Sequence, residues 1–135
     1  MKLKDHPTMK LYEAAKLMQP AKGDKPLSAE WLQQLCLDAG ADDVGFVHIA
    51  DPHISDQRDE IFTLYPKSKT LISVVLRMNR TPVKSMSRAI ANREFHTVGH
   101  DVDEVTHQIV RRLEGEGLEA LNPSMAFPMG LERLP

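Results

Sequence analysis

TLISVVLRM, residues 70–78, decides how this chain is read. It is continuously apolar through its middle, rich in β-branched residues, and bounded by Lys67, Lys69, Asn79 and Pro82. Such a run predicts a strand, and unbroken apolarity fits a strand covered on both faces, as in a parallel sheet. Upstream, DDVGFVHIA (42–50) predicts a second strand. There Val44, Phe46 and His48 alternate with Gly45, Val47 and Ile49, until Asp51 and Pro52 stop it. Between the two runs, residues 54–65 fit a short helix with Ile54, Ile61, Phe62 and Tyr65 on its apolar side, closed by Pro66. Before them, Ser28 is a good N-cap, and Trp31, Leu32, Leu35 and Ala39 have helical spacing up to Gly40.

Downstream, Ser85 or Ser87 is expected to cap a helix carrying Met86, Ala89 and Ile90. From Phe95 the apolar positions run 95, 98, 102, 105, 109 and 113, which predicts one long amphipathic helix continuing through Gly99. Gly115 and Gly117 end it, and LEAL (118–121) reads as a third strand stopped by Asn122 and Pro123. The order helix–strand–helix–strand–helix–strand predicts a layered α/β (α+β) domain. Met125, Phe127, Met129, Leu131 and Leu134 then stand beyond the last predicted element. Two or three strands rarely make a stable sheet alone, so the expectation is a truncated domain, the front part of something longer.

At 135 residues the chain has room for one domain with a real core. Residues 27–135 are read as that domain. Residues 1–26 are read as a flexible basic appendage, with six lysines against three acids. Thr8 to Met18 within it fits a short helix bearing Met9, Tyr12, Ala15 and Leu17 or Met18, and Pro20, Gly23 and Pro26 break it into a linker. The net charge of −2 gives the whole chain no bias toward polyanions. Aromatic residues at 5% argue against a base-stacking nucleic-acid surface. No apolar stretch approaches a membrane span, and the opening residues carry no continuous apolar signal core, so the expected compartment is the cytoplasm. The single cysteine, Cys36, excludes an internal disulfide and any thiolate cluster built from this chain alone; its apolar-periodic position predicts a buried, inert thiol.

Two groups of side chains carry possible chemistry. On the long helix His96, His100, Asp103 and His107 fall within roughly 60° of one another, well away from the apolar stripe. Histidines four apart can share a zinc ion, but no general-base glutamate lies between them, and His107 stands about 10 Å along the axis from His100. The reading is a solvated or cofactor-facing polar stripe with no metal ligands assigned. The second group is basic: Arg77, Arg80, Lys84, Arg88 and Arg93 cluster around the end of the central strand and the helix start that follows. Ligands bind beyond the C-terminal ends of strands in α/β sheets, and helix N-termini favour anions. A solvated basic loop near Asp101, Asp103 and Glu104 is the alternative. Gly99, Gly115 and Gly117 have the wrong context for a phosphate-binding glycine loop, and no serine or cysteine nucleophile has a plausible base. No catalytic residue is assigned.

KTLISVVLRMN followed by SRAIANREFHTVGHDVDEVTHQIVRRL resembles the front half of the epoxyqueuosine reductase and reductive dehalogenase-like iron–sulfur proteins. The matching elements are Arg77-Met78-Asn79, Ser87-Arg88 and Arg93-Glu94-Phe95-His96, together with the helix near 28–40 that leads into GADDVGFVHI. The resemblance covers roughly residues 28–130. NREFH and ALNPSMAFPM look closer to iron–sulfur relatives than to epoxyqueuosine reductase itself. It implies an oxidoreductase segment with a nitroreductase-like fold that binds cobalamin. A following ferredoxin-like part of the reductase chain, its partner, would hold two 4Fe–4S clusters. Electrons would pass from the clusters to cobalt and then to substrate. It implies Arg77, Asn79, Arg88, Arg93 and His96 as cofactor-binding residues. The family's catalytic acid and cluster cysteines belong to later segments, so this segment is expected to be catalytically incomplete. Ala89 replaces the family's aromatic after the Ser-Arg pair, and Phe95 replaces its tyrosine, removing one hydroxyl. The rivals are a small binding module for a phosphate-bearing ligand and part of an FMN-dependent nitroreductase-like enzyme.

Overall fold

The computed structural model describes residues 27–123. The predicted elements of the appendage and the apolar residues from Met125 onward lie outside them. Helix α1 spans Ala29–Asp38, with Ser28 at its N-cap accepting the Trp31 amide at 3.4 Å. Leu32 and Cys36 are its buried residues, at helical spacing. Gly40 then takes φ +116°, a conformation open to glycine and closed to most side chains, and turns the chain into strand β1, Asp43–His48.

A 3-10 turn at Pro52–Ile54 follows, opened by Asp51, whose carboxylate accepts the His53 amide at 2.9 Å. Helix α2, Arg58–Leu64, comes next. The predicted single helix over 54–65 is therefore two pieces. Arg58 explains the break: its guanidinium donates back to the carbonyls of Ile49 (2.8 Å) and Asp51 (3.2 Å), satisfying the chain where β1 ends.

Strand β2, Thr70–Val75, pairs with β1 in antiparallel register, Phe46 opposite Ile72 and Val44 opposite Val74. This corrects the parallel-sheet reading. Among the described residues the sheet has two strands, and Val44, Phe46, Ile72 and Val74 on one face lie on the core. The opposite face carries Val47, Leu71 and Val75, and a Cβ placed on Gly45 there would meet nothing within 4 Å. A continuous apolar run looks the same in sequence whether its second face is covered or open.

A four-residue helix, α3 (Arg80–Val83), was not anticipated because Pro82 sits inside it; Pro is tolerated in a first turn. Helix α4, Arg88–Gly115, is 28 residues long. Met86 is therefore not helical; it precedes the helix and is fully exposed. Ser87 occupies the N-cap without a side-chain cap bond, while the Ser85 hydroxyl accepts the Ser87 amide at 3.1 Å. At the far end Gly117 takes φ +80°, Leu118 N–H donates to the Leu113 carbonyl (3.0 Å), and Gly117 N–H to that of Glu114 (2.9 Å). That pairing is the Schellman stop the glycines predicted.

The core is small and sits under the C-terminal half of α4. Leu32, Cys36, Ala41, Ile109 and Leu113 form it, with Val105, Leu118 and Ala120 against it. LEAL is thus not a strand: Leu118 and Ala120 pack on the core, with no ladder. Glu119, between them, accepts the Tyr65 hydroxyl at 2.8 Å and pairs with Lys67. The predicted stripe of α4 holds at Ile109 and Leu113, which are buried, but Phe95 is 55% exposed. A helix of this length is about 42 Å long, so its first turns run past the core.

Candidate functional site: the basic corner beyond β2

As the chain leaves β2 it has no ladder partner, and two carboxylates take over its amides. Asp42, just before β1, accepts the Arg77 N–H at 2.7 Å. Glu94, on α4, accepts the Asn79 N–H at 2.6 Å. Glu94 is 9% exposed, the one buried charged residue among those described. A short bond from an amide to a buried carboxylate is the charge-assisted kind, and it fixes the 77–79 turn against α4.

The consequence is electrostatic. Between positions 77 and 100 the sequence holds Arg77, Arg80, Lys84, Arg88 and Arg93, and its one acid is Glu94. With Glu94 turned inward onto a backbone amide, this stretch of chain presents cations at its surface, and the exposed Asp42 on the Arg77 amide is the acid beside them. None of the five forms an ion pair with a described residue, and all are exposed.

The sequence-assigned residues are gathered in part. The Glu94 bond brings the Asn79 backbone to α4 beside Arg93. Arg93 and His96 are about 60° apart around the helix, whereas Arg88 is about 140° from Arg93 and faces another way. Arg77 is held through Asp42 at the β1 side of the turn. The His96 ring meets that of Phe95 edge-on, centroids 5.6 Å apart, and both are exposed. His100, Asp103 and His107 are exposed as well. No group of three or more histidine, cysteine or acidic side chains that could hold a metal ion occurs among the described residues.

Cys36 is fully buried between α1 and the core, and burial pushes its thiol up from the ordinary cysteine range. Its single thiolate does not fit an iron–sulfur cluster, which takes four. Asp42 and Glu94 are what residue-by-residue reading missed. Glu94 lies within about 40° of Val98 on the helical wheel, and a carboxylate in the apolar stripe was the available signal.

Comparison of the chain with protein-family models, curated proteins and solved structures finds no match. No helix among the described residues is long and apolar enough to cross a membrane.

Proposed function

We propose that this chain is the N-terminal, cofactor-binding portion of a reductase-like protein, and that its basic corner holds the phosphate-bearing periphery of the cofactor. The observation that carries this reading is the corner itself: five exposed cations that form no ion pair with a described residue, around a turn held by amide bonds to Asp42 and Glu94. Arg93 would meet phosphate, because guanidinium presents paired donors to that oxygen geometry, and Arg88, on another face of the helix, would bond a different part of the cofactor. Asn79 and His96 would bond amide or hydroxyl groups at the rim. The sequence resemblance names the cofactor as cobalamin, whose nucleotide loop carries a phosphate; when bound, it supplies the redox metal centre.

FMN carries the same phosphate and is the second arm of the test. The clusters of the resembled family find no ligands in this chain, so cluster residues and the catalytic acid would belong to the remainder of a reductase chain. Equilibrium dialysis of the 135-residue chain against cobalamin, FMN and inorganic phosphate decides between arms. Retention of cobalamin, competed by added salt, supports the reading; retention of FMN alone transfers it to the flavin enzyme. Retention of none of the three removes it.

A further inference from the structure

The two strands treat their outer edges differently. Ile49 N–H donates to the Lys69 carbonyl at 2.9 Å, and this fixes the phase of the ladder: every second pair from 49/69 onward exchanges bonds between β1 and β2. The backbone groups of Val44, Phe46 and His48 on β1, and of Thr70, Ile72 and Val74 on β2, therefore point outward. On β1 that edge is guarded. The Asp43 carboxylate accepts the Val44 amide at 2.8 Å and sets a charge beside it. On β2 nothing comparable occurs among the described residues. Thr70–Val75 holds no charge, proline or glycine, and no described group accepts the outward amides of Ile72 and Val74. Both side chains pack on the core and are still only half-buried. We propose that β2 pairs antiparallel with β2 of a second copy of this chain, joining two sheets into one of four strands, β1-β2-β2-β1.

Self-complementarity selects a second copy over any other strand. With Ile72 on the two-fold axis, its amide and carbonyl exchange bonds with Ile72 of the second copy. Thr70 does the same with Val74, and Val74 with Thr70, so every outward group of the stretch finds a partner. One axis uses the same edge on both chains, and the outer edges of the joined sheet are then the β1 edges that Asp43 guards. Growth therefore stops at two copies. On the core face the two Ile72 side chains meet and Val74 lies beside Thr70, which covers apolar surface that one chain leaves half open. Beyond the strands, Arg77 comes level with Lys67 of the second copy. There the Glu119 carboxylate, 3.3 Å from Lys67, supplies the opposite charge.

One strip of main-chain bonds with its side chains is a small interface, so association should be reversible over about 1–100 µM. Sedimentation equilibrium of the full chain should follow a monomer–dimer equilibrium, and amide exchange at Ile72 and Val74 should slow as the dimer fills. Thr70→Pro removes an outward amide at the first residue of β2, where proline is tolerated. Ser73→Lys, on the face away from the core, sets two ammonium groups diagonally across the axis. Each spares the β1–β2 ladder and should weaken dimerisation at least tenfold, while exposed His107→Ala leaves it as in the unaltered chain. Matching melts at concentrations where every protein is monomeric show that the variants fold. A chain that stays monomeric throughout, an association that both edge variants leave intact, or growth past two copies would overturn the inference.

Discussion

Removing the Glu94 carboxylate should loosen the turn that positions the basic corner. Glu94→Ala deletes the acceptor of the Asn79 amide, a 2.6 Å bond to a side chain that is 9% exposed. A hydrogen bond to a charged group contributes about 1.5–3 kcal/mol, and the abandoned amide adds to the loss wherever water does not reach it. For a domain near this size, each kcal/mol moves Tm by about 4–8 °C, so the variant should melt roughly 10 °C lower. Glu94→Gln keeps a neutral acceptor of the same shape and should lose about 1 kcal/mol. The donor side can be removed as well. Asn79 has φ −71°, which proline adopts, so Asn79→Pro deletes the N–H without backbone strain at that residue. It leaves a buried carboxylate without its partner and should cost at least as much as Glu94→Ala. Urea melts of the single variants and the double variant close the cycle, and the two losses should overlap rather than add. Additive losses, or a Glu94→Ala melt matching that of exposed His107→Ala, would refute the anchoring role.

Gly40→Ala should destabilise by about 1–2 kcal/mol, because an alanine there must hold φ +116° with its Cβ 3.2 Å from Val105 Cγ2. An unchanged urea midpoint would count against that packing of α1 on α4. Desolvation first, then the hydrogen bond and charge of Glu119, raise the Tyr65 pKa above its ordinary 10.0. The folded chain therefore holds that proton longer than the unfolded chain. The contribution is complete below the ordinary value and is lost as pH climbs through the raised one. In a Tyr12→Phe background the one remaining tyrosine should titrate above the ordinary range in absorbance, and a lower value would contradict the Tyr65–Glu119 contact. Arg88→Ala and Arg93→Ala should each change stability by less than about 1 kcal/mol, since neither pairs with a described residue. A larger loss in chemical melts would mean that the corner is structural.

Local signals carried much of this fold. The Ser28 cap, the Leu32–Cys36 spacing and the Gly40 stop place α1, and Gly115–Gly117 place the end of α4, because each is settled within one turn of chain. The pairing of TLISVVLRM was not legible in the same way. Its antiparallel partner depends on what lies across the sheet, and Val75 reads as covered until the structure shows it exposed at the end of the strand. LEAL has strand-like residues, but Glu119 is engaged by Tyr65 and Lys67 while Leu118 and Ala120 drop onto the core. Phe95 keeps the helical period and still lies beyond the core, a matter of how far α4 overhangs rather than of phase. At the corner, the cations were visible in sequence. Their lack of pairing acids was not, because it depends on Glu94 turning inward to the Asn79 amide.

On the proposed reading, this basic corner binds a phosphate-bearing cofactor through its guanidinium groups. It is tested most directly by cobalamin dialysis of the full chain beside Arg88→Ala, Arg93→Ala and Arg111→Ala. Loss of one charge-assisted contact, about 1.5–3 kcal/mol, should weaken retention roughly ten- to hundredfold in Arg88→Ala and Arg93→Ala. Arg111→Ala, exposed toward the far end of α4, should bind as the unaltered chain does. Equal affinity in all four proteins, or an Arg111→Ala loss as large as the other two, would contradict the claim.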